Sequence, residues 1–448
     1  MARRICSFCA KPEDQVAHLL AGHRDVAICD ECARLAVEIT GEHAFEQTSG
    51  DLLLTGIGLM ITNDPRQKGP IEGGAIAVRG GNITWIGPER ELPSRYRSLI
   101  TLDCGGRTVL PGFVDSHTHL VYDGDRAEEF GRRMRGEDYE SIMAAGGGIQ
   151  ATVTATRAAG PDRLLDLALE RADRMLSLGT TTVEIKSGYG LDTLTERHML
   201  EVAGEIGRRL PIDVVSTFLG AHAVPEEYRR DRDAYLWLIE EEMLPAVAPV
   251  AAYCDVFCDA GVFSVDEARR VLAAGRRHGL RPRLHANQLG DTGGLELAVE
   301  IGAISADHLE HVTVRQASLL ADAGVVAVLL PAASLSMRSK QAPARLLRDA
   351  GAIIALATDC NPGTSNVESM QFVVALGALE MGLTVEESIW AATRGGALAV
   401  EEPDKGWLRV GAVADLHVLD TDNYIDIAYH PDRSATWKVI KDGRVVVG

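Results

Sequence analysis

Hydrophobic runs of four to six residues alternate with helix-like segments between about residues 111 and 400. Helix-like stretches such as 161–178 and 264–278 are rich in Ala and Leu, with Pro161 and Ser264 at the expected helix starts. Eight alternations predict a (β/α)₈ TIM-like barrel, an α/β fold whose functional side chains lie at the carboxyl ends of its strands. The predicted strands are 112–115, 181–185, 214–219, 254–257, 282–285, 305–309, 325–330 and 353–358.

Short β-like runs flank this region on both sides. They cover 51–55, 74–79, 82–86 and 107–110 before it, and 414–419 and 436–440 after it, with glycine pairs marking turns. Strands on both sides of a barrel predict one small β-sandwich domain built from both chain ends. The predicted boundaries are 1–45 for a zinc finger, 51–110 with 405–448 for the β domain, and 111–404 for the barrel. A doubly wound dinucleotide-binding sheet is not favoured, because no Gly-x-Gly-x-x-Gly follows the first barrel strand.

Composition narrows the possible partners. The 448 residues carry a formal net charge of −19, which argues against nucleic acid or an anionic membrane as a partner. An anionic substrate would need a local arginine or lysine. No apolar run approaches the length of a membrane span, and no export signal is visible. Eight cysteines without such a signal indicate a reducing cytoplasm, where thiols serve metals or cores rather than disulfides.

Histidines and one aspartate stand at the ends of the predicted strands. Two residues that are two positions apart on a strand point to the same side, so His117 and His119 can reach one metal ion. Mixed histidine and carboxylate ligation suits Zn²⁺ or Fe²⁺ and leaves a position open for water. Such a site predicts metal-assisted hydrolysis. The whole set is His117, His119, His222, His285, His308 and Asp359.

The motifs around these side chains resemble those of the amidohydrolase superfamily. Gly112-Phe-Val-Asp-Ser-His117-Thr-His119, the isolated His285 and His308, and Ala357-Thr-Asp359 carry this resemblance. Over about residues 51–448 the chain is similar to the imidazolonepropionase family, which implies ring opening of 4-imidazolone-5-propanoate to N-formimidoyl-L-glutamate in histidine degradation. The motifs are Asp123-Gly-Asp-Arg126-Ala-Glu-Glu-Phe130, Ala145-Gly-Gly-Gly148-Ile, Glu184-Ile-Lys-Ser-Gly-Tyr189-Gly, Phe218-Leu-Gly-Ala-His222 and Thr358-Asp-Cys-Asn361-Pro-Gly363.

The resemblance also implies a role for each matching residue. One Zn²⁺ or Fe²⁺/Fe³⁺ is expected on His117, His119, His285 and Asp359, and Asp359 is expected to shuttle the proton. His222 and His308 would polarise the ring carbonyl and stabilise the oxyanion. Arg126 would bind the propanoate group. The ring and product pocket would be lined by Tyr189, Gln288, Asn361, Gly363 and Thr364.

Three segments depart from the family pattern and leave the substrate less defined than the metal chemistry. Asn287-Gln288 stands where the family usually has Asp first, Tyr122-Asp123 where Phe-Gly is expected, and 334–338 lacks bulky aromatic residues. Two-metal relatives use a carbamylated lysine on the fourth strand. Here that strand has none and Lys186 follows the second, so a single metal is predicted.

Four of the eight cysteines form a separate motif near the N-terminus. Cys6-Ser-Phe-Cys9 and Cys29-Asp-Glu-Cys32 are separated by 19 residues, a spacing that predicts a closed tetrahedral Cys₄ zinc site. Over about residues 3–40 the segment is similar to the N-terminal zinc-binding domain of ClpX, which implies dimerisation or protein docking. No Gly-x₄-Gly-Lys-Ser/Thr motif occurs, so no ATPase is predicted.

Two other interpretations remain open at the level of sequence. One is an amidohydrolase acting on another small anionic cyclic amide. The other is a Clp-related adaptor or scaffold whose barrel is degenerate, against which the complete metal and proton-shuttle set argues. A homodimer is implied by the resemblance alone.

Overall fold

The computed structural model describes residues 6–9, 11–12, 15–16, 19–21, 27–29, 31–32, 50–67, 69–137 and 147–448. Residues 33–45 of the predicted zinc-finger segment, and 145–146 of the glycine-rich motif, lie outside this set. Near the N-terminus, strand β1 (Leu19–Ala21) pairs antiparallel with β2 (Ala27–Cys29), and Cys29 is the last residue of that strand.

Five strands precede the barrel and begin a mixed sheet. Strand β3 (Leu52–Met60) pairs antiparallel with β4 (Ile71–Arg79), which pairs with β5 (Asn82–Pro88), while β6 and β7 lie parallel to successive parts of β3. The short β6 was not predicted, because its Thr101 and Asp103 are exposed and leave little hydrophobic signal. The strands are β3 (Leu52–Met60), β4 (Ile71–Arg79), β5 (Asn82–Pro88), β6 (Thr101–Asp103) and β7 (Thr108–Pro111).

Parallel strands then form the barrel in chain order. Both β12 and β13 pair with β11, so together they make the fifth barrel strand. At the carboxyl ends the first and last strands meet, because the Asp359 N–H donates to the His117 carbonyl at 3.0 Å. This confirms the predicted (β/α)₈ barrel. The strands are β8 (Phe113–Asp115), β9 (Thr180–Lys186), β10 (Asp213–Ala221), β11 (Tyr253–Cys258), β12 (Arg281–Pro282), β13 (Leu284–Ala286), β14 (Ser305–His308), β15 (Val326–Leu329) and β16 (Ile354–Leu356).

A single glycine joins the mixed sheet to the barrel. Gly112 lies between β7 and β8, where a Cβ atom would stand 2.3 Å from the Thr181 hydroxyl oxygen. Only glycine lets the chain pass this close to β9. Only this one residue separates the first barrel strand from the end of the sheet strand β7.

Helices cover the outside of the barrel. The two helices predicted from Pro161 and Ser264 are present, and Ser264 caps its helix through a reciprocal bond with Glu267. One-turn π-helices at Ile239–Met243 and Ala391–Gly395 continue α5 and α13, and 3₁₀ turns lie at Glu89–Glu91, Ser94–Tyr96 and Glu226–Tyr228. The α-helices are α1 (Ala127–Met134), α2 (Ile149–Ala158), α3 (Pro161–Ser177), α4 (Thr193–Arg209), α5 (Arg232–Leu238), α6 (Leu244–Val247), α7 (Val265–Arg277), α8 (Gly294–Glu300), α9 (Val314–Ala323), α10 (Pro331–Met337), α11 (Ala344–Asp349), α12 (Met370–Leu379), α13 (Val385–Trp390), α14 (Gly396–Ala399) and α15 (Asp426–Tyr429).

The C-terminal strands return to the first sheet. Strand β17 (Leu416–Leu419) pairs antiparallel with β7, followed by β18 (Thr436–Lys441) and β19 (Arg444–Val447). Asp442 and Gly443 have φ angles of 50° and 73°, which suit a tight hairpin turn between β18 and β19. Strands from both chain ends thus form one continuous eight-stranded sheet. Its buried side chains include Leu54, Met60, Ile76, Leu416 and Ile440.

Membrane insertion through a helix finds no support in the described part of the chain. None of the helices there combines the length and the apolar character that a bilayer span requires.

Candidate active site

The six predicted side chains converge at the carboxyl end of the barrel, where five are buried and His222 is partly exposed. The ring centroids of His117 and His285 are 4.6 Å apart, and those of His285 and His308 are 5.3 Å apart. The rings of His119 and His222 stack at 4.9 Å. Strands that are far apart in the sequence therefore place these side chains close together. The contributors are His117 and His119 after β8, His222 after β10, His285 in β13, His308 at the end of β14 and Asp359 after β16.

Three imidazoles and one carboxylate have the arrangement of a metal site. Ligand nitrogens of His117, His119 and His285 lie within 4.8 Å of one another. Asp359 Oδ1 lies 3.5 Å from Nε2 of both His117 and His119. The Nε2 atoms of His117 and His285 are buried and have no hydrogen-bond partner. Buried nitrogens without a partner are costly unless a cation accepts their lone pairs, so this donor set fits one metal ion.

Burial sets the protonation of this donor set. It lowers the pKa of His117, His119 and His285 well below the ordinary histidine value, so the imidazoles are neutral. Neutral imidazole is the form that binds metal ions. Burial also raises the pKa of Asp359 to about 7.

Two buried aspartates orient two of these imidazoles. Asp307 Oδ2 lies 2.7 Å from Nδ1 of His117, and Asp255 Oδ1 lies 3.1 Å from Nδ1 of His285. A carboxylate at Nδ1 holds the proton there and leaves the Nε2 lone pair directed into the site. Both aspartates were missed from the sequence. The available signal was a charged residue inside an otherwise apolar strand.

A network of buried charges surrounds these aspartates. The Lys186 ammonium donates to Asp255 at 2.8 Å and to Glu184 at 2.9 Å. Arg283 donates to Asp307 at 3.3 Å. All five side chains are fully buried. Lys186 is the last residue of β9 rather than a residue beyond it, and its ammonium is engaged in these ion pairs.

His222 and His308 differ in their hydrogen bonds. His222 Nδ1 donates to the Gly188 carbonyl at 3.0 Å, and burial lowers its pKa to about 4. Neutral His222 therefore presents an Nε2 lone pair to the site. Burial also disfavours a charge on His308, but the Glu310 carboxylate, 3.5 Å from its Nδ1, raises the pKa of His308 above the ordinary value. His308 has a φ of 81°, a strained backbone conformation of the kind that clusters at functional sites.

Arg126 lies at the start of α1 on the rim of this site. Its Nε donates to Glu129 at 2.8 Å, and Glu129 also accepts from the Gly148 N–H at 2.9 Å. Gly363 lies against the guanidinium, because a Cβ atom there would stand 2.1 Å from Arg126 Nη1. Tyr189 follows β9, is buried, and places its ring centroid 5.3 Å from that of His222.

The remaining predicted pocket residues belong to two loops. Asn361 accepts from the N–H groups of Gly363 at 2.8 Å and Thr364 at 2.7 Å, so its side chain organises the loop after β16. The Thr364 hydroxyl lies 3.5 Å from Asp359 Oδ2. Gln288 follows β13, and its backbone N–H donates to Asp259 at 2.7 Å.

The departures from the family pattern have local structural roles. Asn287 adopts a φ of 54° and donates its side-chain amide to the His311 carbonyl at 2.8 Å, a bond that an aspartate could not make. The Tyr122 ring lies 3.6 Å beneath the guanidinium of Arg171. Met337 ends α10, and its sulfur lies 2.7 Å from Nη1 of Arg133.

The four N-terminal cysteines also converge. Their sulfur atoms lie within 4.8 Å of one another. The N–H of Cys29 donates to Cys6 Sγ at 3.3 Å, and that of Cys32 donates to Cys29 Sγ at 3.4 Å. Four sulfurs at this separation fit one tetrahedral zinc ion. Within the described residues, the other cysteines join no such cluster; they are Cys104, Cys254, Cys258 and Cys360, and all are buried.

Comparison with protein families gives two matches. Residues 153–447 match the model of the amidohydrolase family, and residues 4–42 match that of the ClpX C4-type zinc finger. Proteins named imidazolonepropionase are similar over most of their length. The one from Myxococcus xanthus is 48% identical over 84% of this chain and 91% of its own. Those from Mycolicibacterium smegmatis and Haloarcula marismortui are 45% and 44% identical, over 88% and 86% of this chain and 97% and 92% of their own.

Solved structures share the fold at much lower identity. A triazine hydrolase variant aligns with a TM-score of 0.70 at 20% identity, covering 89% of this chain and 94% of its own. An adenosine deaminase from Xanthomonas campestris with bound zinc aligns with a TM-score of 0.65 at 19% identity, covering 88% and 92%. At this identity the likeness establishes the architecture alone.

Proposed function

Because the chain belongs to the imidazolonepropionase family, we infer that it hydrolyses 4-imidazolone-5-propanoate to N-formimidoyl-L-glutamate, a step of histidine degradation. The observation that carries this inference is the convergence of three neutral imidazoles, one buried carboxylate and an arginine at one end of the barrel. Water adds to the ring carbonyl carbon, the adjacent ring C–N bond breaks, and the leaving nitrogen takes a proton.

The proposed metal ligands are His117, His119, His285 and Asp359, and the unpartnered Nε2 atoms support this assignment. One Zn²⁺ or Fe²⁺/Fe³⁺ ion would supply Lewis acidity, which lowers the pKa of a bound water from about 15.7 to roughly 7. These four residues would hold the ion, and a catalytic metal site keeps a position open for such a water.

Asp359 is the proposed proton shuttle. Burial raises the pKa of the Asp359 carboxyl above its ordinary value, which favours its taking a proton, and a carboxyl group can return that proton later. Asp359 takes the proton of the attacking water and later delivers it to the ring nitrogen that leaves. The Thr364 hydroxyl beside Oδ2 helps to hold the carboxylate in place.

His308 and His222 are proposed to contact the reacting ring. His308 is the better donor to the developing oxyanion, because Glu310 favours its protonated form. His222 donates to the carbonyl only when both of its nitrogens carry protons, since its Nδ1–H already bonds to Gly188. In its neutral form it accepts a hydrogen bond from the substrate's ring N–H.

Arg126 is proposed to bind the propanoate carboxylate. Its guanidinium forms an ion pair with Glu129 and borders the loop that carries Gly363. A second carboxylate at its free edge makes a charge-assisted contact. The proposed pocket lining is Tyr189, Gln288, Asn361, Gly363 and Thr364.

The N-terminal cysteines are proposed to hold one structural zinc ion through Cys6, Cys9, Cys29 and Cys32. A segment this short buries too little apolar surface to fold alone, so metal binding would stabilise it. Similarity to the ClpX finger supports a role in dimerisation or in docking a protein partner. A homodimer is part of the same proposal.

Metal analysis combined with turnover tests the whole assignment. The full chain should contain two metal ions, and a strong chelator should abolish turnover of 4-imidazolone-5-propanoate. Restoring activity with Zn²⁺ or with Fe²⁺ then identifies the barrel metal. Metal without turnover of this substrate would favour another small anionic cyclic amide. A barrel that binds no metal would favour the adaptor role.

A further inference from the structure

Lys186 is a fully buried cation that the proposed reaction does not use. Its ammonium donates to Asp255 at 2.8 Å and to Glu184 at 2.9 Å, and lies 3.5 Å from Asp307. A buried ammonium is costly to desolvate and is retained only where its carboxylate partners are held around it. A lysine that is fully buried does not contribute to solubility, so its charge must serve a role inside the barrel.

The carboxylates around Lys186 are those that orient the proposed metal ligands. Asp255 holds Nδ1 of His285, and Asp307 holds Nδ1 of His117. Arg283 also bonds to Asp307, and its guanidinium is anchored by the Ser116 carbonyl at 2.8 Å. Asp255 also accepts from the backbone N–H of His285 at 3.2 Å, but in the described part of the chain Lys186 is the only lysine or arginine in an ion pair with it. His285 therefore depends on Lys186 more than His117 does.

The charge balance indicates what else Lys186 does. The carboxylates of Glu184, Asp255 and Asp307 with the cations of Lys186 and Arg283 leave a formal charge of −1. A divalent ion in the place of the Lys186 ammonium would bring one more positive charge into a fully buried site, at a large desolvation cost.

We propose that Lys186 is a positioning residue of the metal centre. Its ammonium holds Asp255, and through it His285, in the orientation that directs Nε2 to the metal. It also takes the place among the carboxylates that a second cation would otherwise fill. This inference rests on the metal centre of the proposed function.

The test is Lys186→Met in the full chain, with Lys441→Met as the matched control. Methionine is unbranched like lysine, is one atom shorter, and carries no charge. Lys441 is likewise buried and bound to several carboxylates, with Asp213 at 2.8 Å and Asp415 at 3.1 Å, but it lies outside the candidate site. A double variant, Lys186→Met with Glu184→Gln, removes one charge of each sign. If Lys186→Met does not fold, the metal affinity of this double variant is compared with that of the wild type instead.

Co²⁺ affinity of the barrel is the readout, because it does not depend on turnover. The visible bands of Co²⁺ bound by nitrogen and oxygen separate from the sulfur charge-transfer band of the Cys₄ site. Loss of an outer partner of a metal ligand typically weakens affinity about 10- to 100-fold, which is expected for Lys186→Met and for the double variant. Lys441→Met should stay within about 2-fold of the wild type, although its melting temperature also falls.

Two results would overturn the inference. One is wild-type Co²⁺ affinity in folded Lys186→Met. The other is wild-type Co²⁺ affinity in the double variant, which would mean that Lys186 only neutralises the charge of Glu184 and does not position Asp255. Binding of a second metal ion in the barrel of Lys186→Met would support the proposal that the Lys186 ammonium occupies the position of a second cation. Absence of barrel metal from the wild type would instead contradict the proposed function.

Discussion

A methyl group added at Gly363 should displace Arg126 without touching the metal ligands. The φ of Gly363 is not in the left-handed region, so alanine fits the backbone. Its Cβ would stand 2.1 Å from Nη1 and 2.8 Å from Cζ of Arg126. The guanidinium cannot simply swing away, because Glu129 holds its other edge and only 12% of the side chain is exposed. It must retreat by about 1.4 Å to restore normal contact.

The expected loss is that of one charge-assisted hydrogen-bonding contact. Such contacts contribute about 1.5–3 kcal/mol, which corresponds to a fall of about 10- to 150-fold in kcat/KM. The propanoate group does not react, so its contact with Arg126 is similar in the ground state and the transition state. Gly363→Ala should therefore raise KM and leave kcat near the wild-type value.

Steady-state assays of the loss of the imidazolone ring, together with a double-mutant cycle, test this reasoning. Arg126→Ala should lose at least as much as Gly363→Ala, and the double variant should lose no more than Arg126→Ala alone. Gly290→Ala is the matched control, because a Cβ there meets no atom within 4 Å. A KM within about 2-fold of the wild type in Gly363→Ala, or additive losses in the double variant, would refute the contact as the cause.

Three further outcomes follow from the site and its surroundings. Asp359→Asn should lower kcat at least about 100-fold, because an amide cannot shuttle a proton, and near wild-type turnover would contradict the assignment. Cys9→Ser should lower the metal content by one ion per chain with kcat unchanged, as measured by elemental analysis and the ring-opening assay. Burial lowers the folded-state pKa of His417 to about 3, below an unfolded value near 6.5. The unfolded chain then binds the proton more readily, so this group should reduce the free energy of unfolding by about 1.4 kcal/mol per pH unit as pH falls from 6.5 towards 3. Urea unfolding at pH 6.5 and 5.5 should show a smaller decrease in His417→Asn, and equal decreases would disprove this linkage.

The barrel and the six candidate side chains at its strand ends were predictable because both depend on local patterns. Each buried strand is a short apolar run, and each candidate lies at the end of such a run or a few residues beyond it, as His285 and His119 do. Parallel strands carry their ends to one face, so position along the chain was enough to group these side chains, whereas their separate roles were implied by the family resemblance. Strand β6 escaped prediction because its polar residues are exposed at a short edge.

The amino-acid sequence by itself determined the barrel order, the candidate side chains at the strand ends and the cysteine pairs, because period and spacing are local properties. Only the tertiary structure decided which distant charges meet. His117 and Asp307 are 190 positions apart, and Lys186 and Asp255 are 69 apart, yet each pair is in hydrogen-bonding contact. Contacts of this kind produce no periodic pattern in the sequence, since a charged residue in a strand is written the same way whether or not it forms an ion pair in the folded protein. Barrel closure brings the partners together, and burial makes each pairing necessary.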